Sequence, residues 1–290
     1  MGMGKDFYDG FSVARETFEE ASDLLSQNLQ EVIFKEEKLL SQTEYSQIGI
    51  FVTSVAILRV IQHQFPDLEP RICAGLSLGE YTALFAAGKV DFSEAAKLVA
   101  ARGLFMQEAC HEKQGCMRVV LGLGPECIAT HLPSAVWIAN LNCPGQVVIA
   151  GLEAALVGAE EILKTQGARR ILPLDVSGAF HTPLMRSAQI KLEPKLAGAR
   201  FKESAIDFVM NVSGDFAGSL SEIRTNLIDQ VVSTTQWEKG IRAIERRGLQ
   251  TYFEIGPGKS LAGMNKKIGI QGSTLSIEKV TDLEVLDAAI

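Results

Sequence analysis

The feature that most constrains this chain is Gly75-Leu76-Ser77-Leu78-Gly79, set between an apolar run, Arg71-Ile72-Cys73-Ala74, and an Ala-rich stretch, Tyr81–Gly88. A short strand followed at once by a helix demands a sharp turn, and G-x-S-x-G makes one with a serine exposed at its apex. A Cβ at either flanking position is expected to collide with the neighbouring strand or helix, which explains a glycine on each side. The helix that starts here aims its N-terminal dipole and free N–H groups at the serine oxygen. The Leu78 backbone N–H is therefore a candidate donor to a developing oxyanion. Ser77 is a candidate nucleophile, with an ordinary turn serine as the alternative.

A nucleophilic serine needs a base, and the chain has only four histidines. His63 near the end of a long helix, His111 in a charged turn and His131 before Pro133 read most simply as surface residues. His181 lies in Val176-Ser177-Gly178-Ala179-Phe180-His181-Thr182-Pro183, a small-residue loop that Pro183 holds out of regular structure. It is the candidate base, a plain loop histidine being the alternative. Arg102, on a helix expected over 92–109, reads by itself as a surface ion-pair residue.

At 290 residues the chain accommodates one large domain, or one large and one small. Two short amphipathic helices are expected over 11–40. Ser41 with Glu44 then forms a capping-box signature ahead of Ile48, Phe51, Val52, Val55, Leu58 and Ile61 at helical spacing. A buried helix is predicted over 42–64, ended by Phe65-Pro66. From Gly115 the pattern changes: strands at 116–123, 136–140, 146–150 and 170–176 alternate with helices at 125–131 and 153–166. That β-α-β-β-α-β order is the ferredoxin-like signature. The expected fold is α/β, with a small ferredoxin-like domain (113–177) inserted into a large catalytic domain (1–112 and 178–290).

A net charge of −7 and a pI near 5.3 argue against a nucleic-acid partner. Arg169-Arg170, Arg246-Arg247 and Lys266-Lys267 are candidates for local basic patches, with solvated surface as the plain reading. Five cysteines, an odd number without a secretory signal before them, fit free thiols in a reducing cytoplasm. Cys110, His111 and Cys116 lack a second ligand pair, so no metal is expected. No run reaches the ~18–20 apolar residues of a membrane span, so a soluble protein without a membrane partner is expected. Gly256-Pro257-Gly258-Lys259-Ser260 lacks the glycine a phosphate loop needs at position 253, where Phe253 stands.

Five stretches together resemble the malonyl-CoA:acyl carrier protein transacylases of bacterial and plastid fatty-acid synthesis. They are Gly75–Leu84, Arg102–Gln107, Asn142–Gly151, Gly178–Met185 and Glu254–Leu261, in the family's order and covering nearly the whole chain. The resemblance implies an α/β-hydrolase-like large domain with a parallel sheet core. It implies a Ser77-linked malonyl intermediate, His181 as base and then acid, and Arg102 on the malonyl carboxylate. Gln47 matches a glutamine of the same pocket, and Gln236 the position whose backbone carbonyl orients the histidine. Phe180 matches a position where a bulky residue accompanies malonyl rather than methylmalonyl selection. Malonyl-CoA and the phosphopantetheinyl thiol of acyl carrier protein are the implied substrates and partners, with no permanently bound cofactor.

Two departures stand out. Leu76 replaces the histidine common before the nucleophile. The family's opening strand and its Phe-Pro-Gly-Gln-Gly-Ser-Gln-like loop, the source of a second oxyanion donor, are absent, which suggests a truncated start or another segment that compensates. A serine thioesterase and a catalytically silent interaction protein remain as alternative readings. Arg102 has no evident task in the first, and retained Ser77, Arg102 and His181 count against the second.

Overall fold

Four short helices, α1 (Lys5–Gly10), α2 (Ser12–Leu25), α3 (Leu29–Lys35) and α4 (Glu37–Leu40), lead into the long helix α5 (Thr43–Gln64) in the computed structural model, which describes residues 1–289. Three helices, not two, occupy the 11–40 region. Asn28 creates the extra start, its Oδ1 accepting the Glu31 N–H at 3.1 Å. By length and composition α5 could cross a membrane, yet most of it is buried. Phe51, Val52, Val55, Ala56, Ile57 and Val60 are fully enclosed, because apolar residues surround the helix on nearly every side.

After α5 come β1 (Ile72–Ala74), α6 (Gly79–Ala86) and α7 (Phe92–Glu112), which packs along α5. The expected capping box does not form. Ser41 Oγ bonds the Lys38 carbonyl at 2.9 Å instead, and the free Thr43 N–H of α5 is taken by Gln107 Oε1 of α7 at 2.8 Å. The end of α5 is therefore capped by its packing partner.

The next segment forms β2 (Cys116–Leu121), α8 (Pro125–His131), β3 (Val136–Cys143), β4 (Gln146–Gly151), α9 (Glu153–Thr165) and β5 (Arg170–Pro173). Its four strands lie antiparallel in the order β3-β4-β2-β5. Side chains alternate across such a sheet. Val147 and Ile149 pack under α8 and α9 with Val120, Ile128, Leu156 and Leu163. Val148 and Ala150, with Met117 and Ala139, cover Ala179 and Phe180 on the other face. The small sheet thus forms one wall of the loop that carries His181.

The chain then returns through α10 (Arg186–Gly198), β6 (Asp207–Met210), β7 (Asp215–Phe216), α11 (Leu220–Gln230), α12 (Trp237–Glu245), β8 (Thr251–Ile255), α13 (Ser260–Ile268), β9 (Ser273–Ile277) and α14 (Glu284–Ala289). β6 pairs parallel with β1, joining segments on either side of the β2–β5 unit. β7 adds an antiparallel edge, and β8 and β9 form a separate parallel pair. The parallel core is therefore in two pieces and not one continuous sheet; the pairing of β1 with β6 is only three residues long.

Helix α7 packs closely on the start of α5 at Gly103, beside Arg102. A Cβ on Gly103 would lie 2.9 Å from the Glu44 carbonyl oxygen and 3.1 Å from its Cα. Both are backbone atoms that move only with the helix. Gly103→Ala is expected to destabilise the fold by about 1–3 kcal/mol despite alanine's better helix propensity. Denaturant unfolding tests this, and an unchanged midpoint would show that the crossing yields freely.

Candidate active site

The turn after β1 places Ser77 in a left-handed conformation, φ 54°, and His181 holds φ 59°. Such backbone costs a residue with a Cβ about 1–2 kcal/mol and persists only where neighbours enforce it. At Ser77 both backbone polar groups are engaged. Its N–H donates to Asn211 Oδ1 at 2.7 Å, and its carbonyl accepts from Gln230 Nε2 at 2.8 Å. Asn211 also donates from Nδ2 to the Gly75 carbonyl at 2.7 Å, so one side chain spans the turn.

The two glycines of the turn differ. A Cβ on Gly75 would fall 2.0 Å from the Gly79 carbonyl carbon and oxygen, whereas one on Gly79 meets nothing within 4 Å. The collision expected at both positions is real only at Gly75, because the turn folds the start of α6 back over the end of β1.

The His181 loop is fixed by Thr182, whose Oγ1 donates to the Ala179 carbonyl at 2.7 Å and accepts the Leu184 N–H at 3.3 Å. His181 Nε2 lies 2.8 Å from Ser77 Oγ, and Nδ1 lies 2.7 Å from the Gln230 carbonyl oxygen. A carbonyl only accepts, so the proton sits on Nδ1 and the bare Nε2 faces the serine hydroxyl. Burial, reinforced by the Arg102 charge, pushes His181 down to about 4, partly offset by its bond to the Gln230 carbonyl. The ring is neutral at physiological pH and available as a proton acceptor.

The carbonyl partner is Gln230, not Gln236 as the motif match suggested. Gln236 precedes α12, and its carbonyl is used within the helix by the Gly240 N–H at 3.0 Å. Gln230 is the last residue of α11, where helix carbonyls have no intrahelical donor. The local sequence signal was therefore a helix C-terminus, not a motif.

Arg102 is fully buried within the same cluster. Nη1 donates to Gln47 Oε1, and Nη2 to both Gln230 Oε1 at 2.9 Å and Ser77 Oγ at 3.0 Å. Nε has no partner, and among the described residues no carboxylate lies within ion-pair distance. Burial lowers its pKa, opposed by Tyr81 and Glu80. Phe180 is half-buried between the main core and the small sheet. Among the described residues no acceptor takes the Leu78 N–H. Sequence reasoning missed Asn211 and Gln230, which reach the turn from distant segments, and Glu80, which follows the turn in α6 and bonds to those same segments.

Such a centre can activate a hydroxyl and accept an acyl group beside a buried cation. Gly75→Ala is expected to cost at least about 2–3 kcal/mol, whereas Gly79→Ala should stay within about 0.5 kcal/mol of the parent. Chemical unfolding of the pair checks this; equal losses would contradict the asymmetry.

The family described as "Acyl transferase domain" matches residues 1–267. The malonyl CoA-acyl carrier protein transacylase of Bacillus subtilis is 37% identical over 297 residues, covering 100% of this chain and 92% of that protein. The crystal structure of a protein named MCAT from Streptococcus pneumoniae superposes with a TM-score of 0.94 at 39% identity, covering 100% and 96% of the two chains. A malonyl-transacylase, PlMCAT, solved in complex with a type II PKS acyl-carrier protein gives 0.95 at 36% identity and the same coverage. With this likeness along its whole length, the chain belongs to the acyl transferase domain family, among the malonyl-CoA:acyl carrier protein transacylases.

Proposed function

We propose that this enzyme moves a malonyl group from malonyl-CoA to the phosphopantetheine thiol of acyl carrier protein, through an ester on Ser77. The observation that carries the reading is Arg102: a buried guanidinium without a carboxylate partner among the described residues, 3.0 Å from the hydroxyl that would be acylated. A buried charge is costly unless paired. A thioester whose acyl group ends in a carboxylate supplies the missing partner, and a guanidinium can hold it through two parallel hydrogen bonds.

Ser77 Oγ attacks the thioester carbonyl carbon while His181 Nε2 takes the hydroxyl proton. The tetrahedral oxyanion forms beside the Leu78 N–H, the candidate donor to it. The Gln230 carbonyl, at the negative end of α11, supports the transient imidazolium through Nδ1. Collapse breaks the carbon–sulfur bond, and Nε2–H returns its proton to the departing coenzyme A sulfur. The carrier thiol then gives its proton to Nε2 and attacks the ester, and the proton passes to the Ser77 oxygen as it leaves. The thioester brings its own activation, so the cycle calls for no resident cofactor.

Gln47 positions Arg102, and Phe180 beside His181 fills room that a branched acyl group would need, a discrimination of about 1–3 kcal/mol. We further infer that residues 113–177 form an inserted ferredoxin-like domain over a large domain built from 1–112 and 178–290. The chain would act in the reducing cytoplasm, supplying fatty-acid synthesis.

Arg102→Ala tests the clamp. Its kcat/KM for malonyl-CoA is expected to fall about 10–100-fold, with acetyl-CoA affected far less. A variant that keeps the parent's malonyl preference would refute the assignment of Arg102.

A further inference from the structure

Glu80 is completely buried beneath the serine turn, yet its carboxylate takes no part in the steps above. It lies in the first turn of α6, where a carboxylate would ordinarily meet the free N–H groups of its own helix. Its hydrogen bonds run to other segments instead. Oε1 accepts the Asn211 backbone N–H at 2.7 Å. Asn226 Nδ2 reaches both oxygens, at 2.9 and 3.0 Å. Gln230 Nε2 donates to Oε2.

Two of these donors belong to the residues that hold Ser77. Asn211 carries the side-chain oxygen that accepts the Ser77 N–H. The Gln230 amide nitrogen bonding Glu80 also bonds the Ser77 carbonyl, and its amide oxygen faces Arg102 Nη2. An amide side chain can flip end for end, exchanging a donor for an acceptor. Flipped, Gln230 would set its NH2 against the Arg102 guanidinium and its oxygen against the Ser77 carbonyl. An acceptor-only carboxylate at Glu80 allows a single orientation. Burial raises the Glu80 carboxyl, and the donors on Asn211, Asn226 and Gln230 with the Arg102 charge draw it back toward the ionised form, leaving it at about 7.

We propose that Glu80 is a positioning residue for this centre: its carboxylate fixes the Asn211 backbone and the Gln230 amide, and through them the strained Ser77 and the Arg102 guanidinium. The carboxyl touches no substrate. The proposal rests on the malonyl-transfer reading only in what Arg102 binds; the hold on Ser77 is independent of the acyl donor.

Glu80→Gln keeps the shape but offers one acceptor oxygen where three donors converge. Asn226→Ala is the comparison, because Asn226 joins the same carboxylate and otherwise holds only the Val212 N–H. The full chain and each variant are followed by the rate of Ser77 labelling with a fluorophosphonate, and by kcat and KM with malonyl-CoA and acetyl-CoA. For Glu80→Gln, labelling and kcat are expected to fall about 10²-fold, as for a displaced catalytic group, with a smaller malonyl-over-acetyl ratio. Asn226→Ala should stay within about threefold of the parent on these readouts even where its melting temperature drops, since neither Ser77 nor Arg102 loses a contact.

A folded Glu80→Gln with parental labelling and selectivity would overturn the proposal. So would equal kinetic losses in both variants, which would make the cluster merely structural. If Glu80→Gln fails to fold, Glu80→Asp decides: it keeps the charge but falls one methylene short of Gln230, so slower labelling supports the role and parental rates refute it. Should the parent form no malonyl ester while labelling still separates Glu80→Gln from Asn226→Ala, the substrate reading fails and the positioning role stands.

Discussion

Ser77 can hold a φ of 54° because its N–H and its C=O are each met by a side-chain amide, from Asn211 and Gln230. Much of the molecule serves that arrangement. The pairing of β1 with β6 brings Asn211, just past the end of β6, under the turn. Helix α11 ends at Gln230, so one residue supplies a main-chain carbonyl to His181 and a side-chain amide to Ser77 and Arg102. Close packing of α7 on α5 delivers Arg102 and Gln47 to the same point. The small sheet covers the histidine loop through Ala179 and Phe180.

The electrostatics follow from burial. Arg102 and Glu80 are both removed from water and communicate through the Gln230 amide instead of touching. In the free enzyme the guanidinium is surrounded by neutral amides and a hydroxyl. That leaves its charge without a competing protein carboxylate among the described residues, the condition that the proposed role of Arg102 in malonyl recognition needs. His181 is kept neutral by burial and by the Arg102 charge, the state that its proposed role as general base requires.

How legible this was in the sequence depended on whether a residue's role is local. Ser77 and His181 sit in short stretches whose glycines, prolines and small residues announce unusual backbone, and the β-α-β-β-α-β unit announced itself by alternation. Arg102 and Gln47 entered through resemblance, since nothing in their own helices marks them as buried partners. Gln230, Asn211 and Glu80 act across more than 130 residues of chain, beyond the reach of periodicity or spacing. The capping box at Ser41 failed because Ser41 closes the preceding helix α4, its N–H bonded to the Glu37 carbonyl, a role that spacing to Glu44 does not reveal.

In the proposed cycle Ser77 carries the malonyl group between two thiols. Intact-protein mass spectrometry after brief mixing with malonyl-CoA tests it most directly, with Ser77→Ala alongside. A malonyl adduct that is absent in Ser77→Ala and disappears when holo acyl carrier protein is added, with malonyl appearing on the carrier, is the predicted result. A folded parent chain that takes up no malonyl group, or an adduct that persists in Ser77→Ala, would contradict it.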